Sequence, residues 1–126
     1  MKVLIVDDER DVESLFRQRM RREVRGGEFE LLFAFSGEEA LEVLRTHGHA
    51  DVVLVLSDIN MPGMNGIDLL KHIKQTPPPV PVCMMTAYDN DTYRSQAETL
   101  GCDGYVSKPI DFNRLKDQIR ELVATS

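Results

Sequence analysis

Asp58 ends an apolar run, Val52-Val53-Leu54-Val55-Leu56-Ser57, and opens the turn Ile59-Asn60-Met61-Pro62-Gly63-Met64-Asn65-Gly66. A carboxylate carried by a buried strand into a turn shaped by Pro and Gly is costly unless something binds it. Three other runs finish in polar groups. Val3-Leu4-Ile5-Val6 ends in Asp7-Asp8, Val82-Cys83-Met84-Met85 ends in Thr86, and Tyr105-Val106-Ser107 ends in Lys108-Pro109. Apolar strands that each deliver a polar group predict one site at the carboxyl edge of a parallel sheet.

Gathered at one edge, Asp7, Asp8 and Asp58 demand a cation. Two carboxylates about 5 Å apart repel by about 3 kcal/mol at an effective dielectric near 20. A hard divalent ion with oxygen ligands relieves this, and Mg²⁺ suits a site that offers one or two direct carboxylates and leaves room for water and phosphate. Lys108 adds a point charge and Thr86 a hydroxyl donor. Carboxylates, a divalent ion, a lysine and a hydroxyl compose a phosphoryl-transfer site, where positioning and charge neutralisation do most of the catalysis. No Ser, Cys or His stands where a nucleophile is needed. That leaves Asp58, and aspartyl phosphate is a known type of covalent intermediate.

The elements that must position these groups alternate along the chain. Val12, Leu15, Phe16, Met20 and Val24 recur at helical spacing until Gly26-Gly27 stops them. Residues 29–35 read as a second strand, with Ser36 as N-cap and Glu39 three residues on in a capping-box pattern. Ala40, Leu41 and Leu44 mark the next helix, which ends near Gly48, and Leu69, Leu70 and Ile73 mark the one after the Asp58 strand. A Pro77-Pro78-Pro79-Val80-Pro81 break precedes the Thr86 strand. A helix over 91–100 carries Tyr93, Ala97 and Leu100 inward, a short strand spans 104–107, and Phe112, Leu115, Ile119 and Leu122 line the last helix. Five strands alternating with five helices predict right-handed βαβ units and a doubly wound α/β fold. In its flavodoxin-like form the strand order is 2-1-3-4-5, and the crevice falls between the strands that end in Asp7-Asp8 and in Asp58.

Length and composition agree with one domain over 1–126. A chain of 126 residues buries roughly two-thirds of its unfolded surface without metal or disulfide staples. Apolar residues make up 42% and charged residues 29%, the balance of a globular protein rather than a disordered one. Fifteen basic against 21 acidic residues give a net charge of −6, so no overall basic field favours nucleic acid. No run approaches the roughly 18 apolar residues of a membrane span. The first strand follows Met1-Lys2 with no secretory signal pattern, which leads us to expect a cytoplasmic protein whose Cys83 and Cys102 are reduced packing residues.

Asp7-Asp8-Glu9, Asp58 with Met61-Pro62-Gly63 and Asn65-Gly66, Thr86-Ala87, and Lys108-Pro109 are each short. In this order and spacing they are highly specific. The chain resembles the receiver domain of bacterial two-component response regulators over essentially its whole length. The resemblance implies that Asp58 takes a phosphoryl group from the phosphohistidine of a sensor histidine kinase or a histidine phosphotransfer protein. It implies Mg²⁺ held by Asp8, Asp58 and the Asn60 backbone carbonyl, with Asp7 acting through water. Lys108 would pair with one phosphoryl oxygen, Thr86 would hydrogen-bond another, and a cis bond before Pro109 would aim Lys108 inward.

Phosphorylation adds close to two negative charges and three acceptor oxygens. Drawn toward them, Thr86 would vacate space that Tyr105, at the family's switch-aromatic position, fills by turning inward. The fourth helix, fifth strand and fifth helix would then carry the signal to an output domain or partner protein, and the same face is a candidate homodimer surface. Tyr88 either shields the phosphoryl group from water or is an exposed loop aromatic. The chain would catalyse only its own phosphorylation and dephosphorylation.

Other readings fit less well. A phosphotransferase that uses an aspartyl phosphate on outside substrates wants Asp-x-Asp, and position 60 is Asn. A flavodoxin-like nucleotide binder needs a first loop friendly to anions, whereas Asp7-Asp8-Glu9 repels phosphate unless a metal intervenes. A module that works without phosphate should have lost part of the set, and all of it is here. His47, His49 and His72 read as ordinary residues, the first two at a helix end whose carbonyl dipole favours imidazole. Arg17, Arg19, Arg21, Arg22 and Arg25 read as a solvated helix face, or as part of the surface that this helix offers kinases in the family. Stand-alone signalling and membership of a larger regulator are equally compatible with the Asp58 site.

Overall fold

The central strand β3 (Val52–Asp58) is apolar on both sides of its pleat, and all but one of its residues are buried. Such a strand needs cover on both faces. The structure, a computed structural model, describes residues 1–47, 51–87 and 91–125. β1 (Lys2–Val6), β2 (Glu30–Ala34), β4 (Val82–Thr86) and β5 (Gly104–Ser107) join β3 in one parallel sheet of order β2-β1-β3-β4-β5. The order reverses between β1 and β3, as the alternation predicts.

Helices α1 (Asp11–Arg19), α2 (Arg21–Arg25) and α6 (Phe112–Thr125) share one side of the sheet. There Phe16, Met20, Leu115 and Ile119 pack on Val3, Ile5, Leu54, Leu56, Cys83 and Met85. On the other side lie α3 (Gly37–His47), α4 (Gly66–Gln75) and α5 (Asp91–Thr99). Ala40, Leu44, Leu69, Leu70, Ile73 and Ala97 meet Leu4, Val6, Val55, Val82 and Met84 there. The two layers take alternate residues along the strands, the period-2 pattern of a sheet covered on both faces, broken only where the β1–β3 register shifts and Val53 and Leu54 of β3 meet the same layer.

Six helices replace the five expected, because the predicted 12–24 helix breaks at Met20. Its backbone (φ −108°, ψ 13°) departs from helical geometry while its side chain is wholly buried. Phe16 and Met20 point inward, whereas Leu15 and Val24, expected on the same apolar face, are exposed. The expected fourth and fifth helices are therefore α5 and α6. Ser36 caps α3 by accepting the Glu39 N–H at 3.0 Å, and Asn65 caps α4 by accepting from Asp68 at 2.9 Å. The Lys108–Pro109 peptide bond is cis, and so is Pro77–Pro78. Cys83 is buried and Cys102 half-buried, both as free thiols, and burial pushes the Cys83 thiol up to about 12.

Candidate functional site

Strand alternation sets the site. On β1 the residues facing α1 and α6 are Val3 and Ile5, and the next in that series is Asp7. On β3 they are Leu54 and Leu56, followed by Asp58. Adjacent strands thus place both carboxylates on the same side of the same edge. Asp7 and Asp58 are buried, whereas Asp8, one residue round the turn, is exposed. One carboxylate oxygen from each of Asp7, Asp8 and Asp58 lies within 4.8 Å of the other two.

Lys108 arrives from the turn after β5, where its backbone N–H donates to the Thr86 carbonyl at 2.8 Å. Its Nζ is 2.8 Å from Asp7 Oδ2 and 3.5 Å from Asp58 Oδ2. Burial opposes the Lys108 charge, but the hydrogen bond to Asp7 and the attraction of Asp58, Asp7 and Glu9 outweigh it, so its pKa lies above the ordinary lysine value. Asp58 moves upward too. Burial is the main cause and the Asp7 charge adds to it, against the lowering pull of Lys108 and of the Asn60 backbone N–H. The site holds one cation against three carboxylates, and the donors are all hard oxygens. They fit a divalent ion such as Mg²⁺ by ligand type and spacing.

The turn after Asp58 is held from several sides. The Ile59 N–H donates to Met85 at 3.0 Å and the Gly66 N–H to Ile59 at 2.9 Å. Ser57 Oγ donates to the Asp58 carbonyl at 3.0 Å, and the Met64 N–H reaches Glu38 Oε1 at 3.1 Å. A Cβ on Gly66 would stand 2.2 Å from the Asp58 carbonyl oxygen, so only glycine fits there. Gly63 adopts φ +71°, which the turn also reserves for glycine. The roles of Gly66, Ser57 and Glu38 escape sequence reading. The Asn65-Gly66 pair signals a turn, but not how closely the chain returns to Asp58.

Thr86 is wholly buried at the end of β4, one residue beyond Met85, the register partner of Asp58. It lies on the opposite side of the sheet from Asp58, in the series Val82, Met84, Thr86. Tyr105, in register with Met84, packs half-buried against that same layer, with the Arg94 guanidinium 4.9 Å from its ring centroid. Asn60 is exposed on the rim of a cleft of about 480 Å³ that also includes Glu9, Asp58, Ala87 and Lys108. Tyr88 and His49 lie outside the described residues.

A profile of the response regulator receiver domain matches residues 3–120, nearly the whole chain. The chain belongs to the response regulator receiver domain family. Signalling as a phosphoacceptor is the function of that family, whose members work with histidine kinases and output domains. This receiver domain is 38% identical over 125 residues to the transcriptional regulatory protein CpxR of Klebsiella pneumoniae, covering 99% of this chain and 50% of that one. It is 37% identical over 128 residues to the response regulator protein PilR of Pseudomonas aeruginosa, covering 99% of this chain and 26% of PilR. The receiver domain therefore spans half or less of these curated relatives. Among solved structures, it superposes on the Francisella response regulator 1452 receiver domain with TM-score 0.84 at 25% identity, covering 98% and 97% of the two chains. A signal receiver domain of an HD domain-containing protein from Pseudomonas fluorescens gives TM-score 0.88 at 26% identity, covering 98% and 94%. No helix among the described residues is long and apolar enough to cross a membrane.

Proposed function

We propose that Asp58 is the phosphoacceptor of this receiver domain. The observation that carries the reading is the placement of Asp58, a buried carboxylate flanked by Asp7 and Asp8 and faced by Lys108. A carboxylate oxygen of Asp58 forms the new O–P bond as the P–N bond of a donor phosphohistidine breaks, and the electron pair of that bond stays on the imidazole. The donor is a sensor histidine kinase or a histidine phosphotransfer protein. Asp8, Asp58 and the Asn60 carbonyl, with Asp7 through water, would hold Mg²⁺, which would supply charge neutralisation for the incoming phosphoryl oxygens. Lys108 keeps a positive charge beside Asp58 and pairs with one of those oxygens, and Thr86 donates its hydroxyl to another. With Asn at position 60 no second carboxylate serves as acid for outside substrates, so the domain acts on itself alone.

Readout follows the layer that Thr86 and Tyr105 share. A shift of Thr86 toward the phosphoryl group opens room on that side of the sheet, and Tyr105 moves into it. The face made by α5, β5 and α6 then carries the change to an output domain, a partner protein or a second copy of the domain. A cytoplasmic location belongs to the same reading. Tyr105 ring mobility with and without beryllofluoride tests the switch, and identical behaviour in both states excludes it.

The decisive experiment is intact mass after incubation with acetyl phosphate and Mg²⁺. A gain of one phosphoryl group, abolished by EDTA and by Asp58→Asn, is the expected result. A gain that persists in Asp58→Asn would place the acceptor elsewhere. If acetyl phosphate gives no gain, a phosphorylated histidine kinase replaces it as donor, and a second failure rejects the reading.

A further inference from the structure

The turn that follows Asp58 closes at its base through two backbone bonds, from the Ile59 N–H to Met85 and from the Gly66 N–H to Ile59. Its tip, Met61 to Met64, is met from outside by α3, the helix that follows the edge strand β2. The Met64 N–H donates to Glu38 Oε1 at 3.1 Å, across 26 residues of chain. A Cβ on Gly63 would stand 3.4 Å from the same oxygen, so Glu38 lies over the tip. A Cβ on Gly37 would stand 2.8 to 2.9 Å from Met64 Cβ, Cγ and Sδ. The bare backbone of Gly37 is therefore what lets Met64 seat against α3.

Asn60 links this tip to the acceptor. Its backbone N–H donates to the Asp58 carboxylate, and its carbonyl is the group that would hold Mg²⁺ beside that carboxylate. Both peptides flanking Asn60 follow the path the tip takes. Met61 is buried in the layer that α3 and α4 share, and Met64 packs against the same layer. Apolar burial is non-directional and a methionine side chain turns about three bonds, so packing places the tip without orienting its peptides. A charge-assisted hydrogen bond to a backbone N–H does orient one.

Glu39 supplies the contrast. Glu38 and Glu39 both stand exposed in the first turn of α3, where negative charge suits the amino end of a helix. Among the described residues no hydrogen bond or ion pair joins the Glu39 side chain to the turn, and the Glu39 N–H goes to Ser36. Charge and position also predict opposite signs. By charge alone a glutamate repels an incoming phosphoryl group, and removing it speeds the reaction. A glutamate that orients the turn slows the reaction when it is removed.

We propose that Glu38 is a positioning residue for phosphoryl transfer, acting through the Met64 N–H on the turn that orients Asp58. That role rests on Asp58 being the acceptor. The test is the rate at which the full chain gains a phosphoryl group from acetyl phosphate and Mg²⁺, or from a phosphorylated histidine kinase, followed by intact mass. Circular dichroism sets a temperature at which every variant is folded. Glu38→Ala is expected to slow the gain by about fivefold or more, since a small misplacement of a reacting group is costly in rate. Glu38→Gln loses the charge but keeps an acceptor oxygen, and should recover most of the rate. Glu39→Ala should react as the unmodified chain does. Gly37→Ala, whose Cβ displaces Met64 without altering any charge, should slow the gain as well. Amide exchange at Met64 should rise in Glu38→Ala and stay low in Glu38→Gln. Equal rates in Glu38→Ala and Glu39→Ala, or a Glu38→Gln as slow as Glu38→Ala, would overturn the role of Glu38 and leave Asp58 as acceptor. A chain that gains nothing from either donor, or that still gains in Asp58→Asn, would overturn the Asp58 reading and the role of Glu38 with it.

Discussion

Lys108 lies closer to Asp7 than to Asp58, with its Nζ 2.8 Å from the former and 3.5 Å from the latter. The lysine therefore does two things before any phosphoryl group arrives. It neutralises the more deeply buried carboxylate, and it stands beside the acceptor with donor capacity to spare.

Removing that cation should expose the repulsion it masks. Breaking a buried pair costs about 3–5 kcal/mol, and because Lys108 is partly exposed, Lys108→Met is expected to lose roughly 1–3 kcal/mol in EDTA. Added Mg²⁺ then has more repulsion to relieve, so it should raise the melting temperature more in the variant than in the unmodified chain. Thermal unfolding with and without Mg²⁺ checks both parts. Equal melting temperatures in EDTA would show that the ion pair adds nothing to stability.

The two shifted groups lower stability in the same direction, as pH rises through two separate windows. Asp58 is raised from 3.8 by burial and by Asp7. Between 3.8 and its folded value the native state binds more protons than the unfolded state, so stability falls as pH rises through that window and stays lowered at neutral pH. Asp58→Asn should flatten this slope and stabilise the metal-free protein at pH 7. Lys108 is raised from 10.5, so its contribution is complete below 10.5 and vanishes as pH rises through the folded value. Urea midpoints across pH should show an alkaline fall that Lys108→Met lacks.

Patterns that depend on one strand or one helix turn were legible in the sequence. Val52 to Leu56 reads as a strand buried on both faces, and Ser36 with Glu39 reads as a cap. The gathering of Asp7, Asp8 and Asp58 follows from strand order. Tertiary distances were not legible. Periodicity put Leu15 and Val24 on the apolar face because it cannot show that the helix breaks at Met20. Nor does spacing show that Gly66 returns against the Asp58 carbonyl, or that Lys108 favours Asp7. Asp103 looks like any loop carboxylate, since its partners lie 21 and 29 residues away.

Asp103 ties three elements together at the amino edge. Its Oδ2 accepts from Lys74 Nζ at 2.7 Å and from the Val82 N–H at 2.8 Å, and Lys74 also donates to the Val80 carbonyl at 3.1 Å. Asp103→Ala leaves the Val82 N–H without this acceptor and the Lys74 ammonium without its counter-charge, an expected loss of about 1–3 kcal/mol. Asp103→Asn keeps an acceptor for Val82 and should lose less. Chemical denaturation ranks the two, and equal losses would mean that the charge, not the backbone bond, holds the latch. Neither variant should lower phosphorylation, since the latch lies at the other end of β4 from Thr86.

Gly66 offers the sharpest separation of geometry from charge at the acceptor. An alanine Cβ there would meet the Asp58 carbonyl oxygen at 2.2 Å and Ile59 Cα at 2.8 Å, both backbone atoms that cannot swing aside. Gly104→Ala is the matched control, because its tightest neighbour is the amide end of Gln118 at 2.7 Å, on a flexible side chain. Overpacking at Gly66 is expected to destabilise by about 1–3 kcal/mol. The displaced turn moves Asp58 without altering any charge in the site, and misplacing a reacting group by even about 1 Å can cost on the order of a hundredfold in rate. Phosphorylation by acetyl phosphate, followed by mass under conditions where both variants remain folded, should therefore slow by about tenfold or more in Gly66→Ala. Gly104→Ala should keep the unmodified rate. Equal rates in both would show that the Asp58 carboxylate tolerates movement of the turn beneath it, and that charge alone governs its phosphorylation.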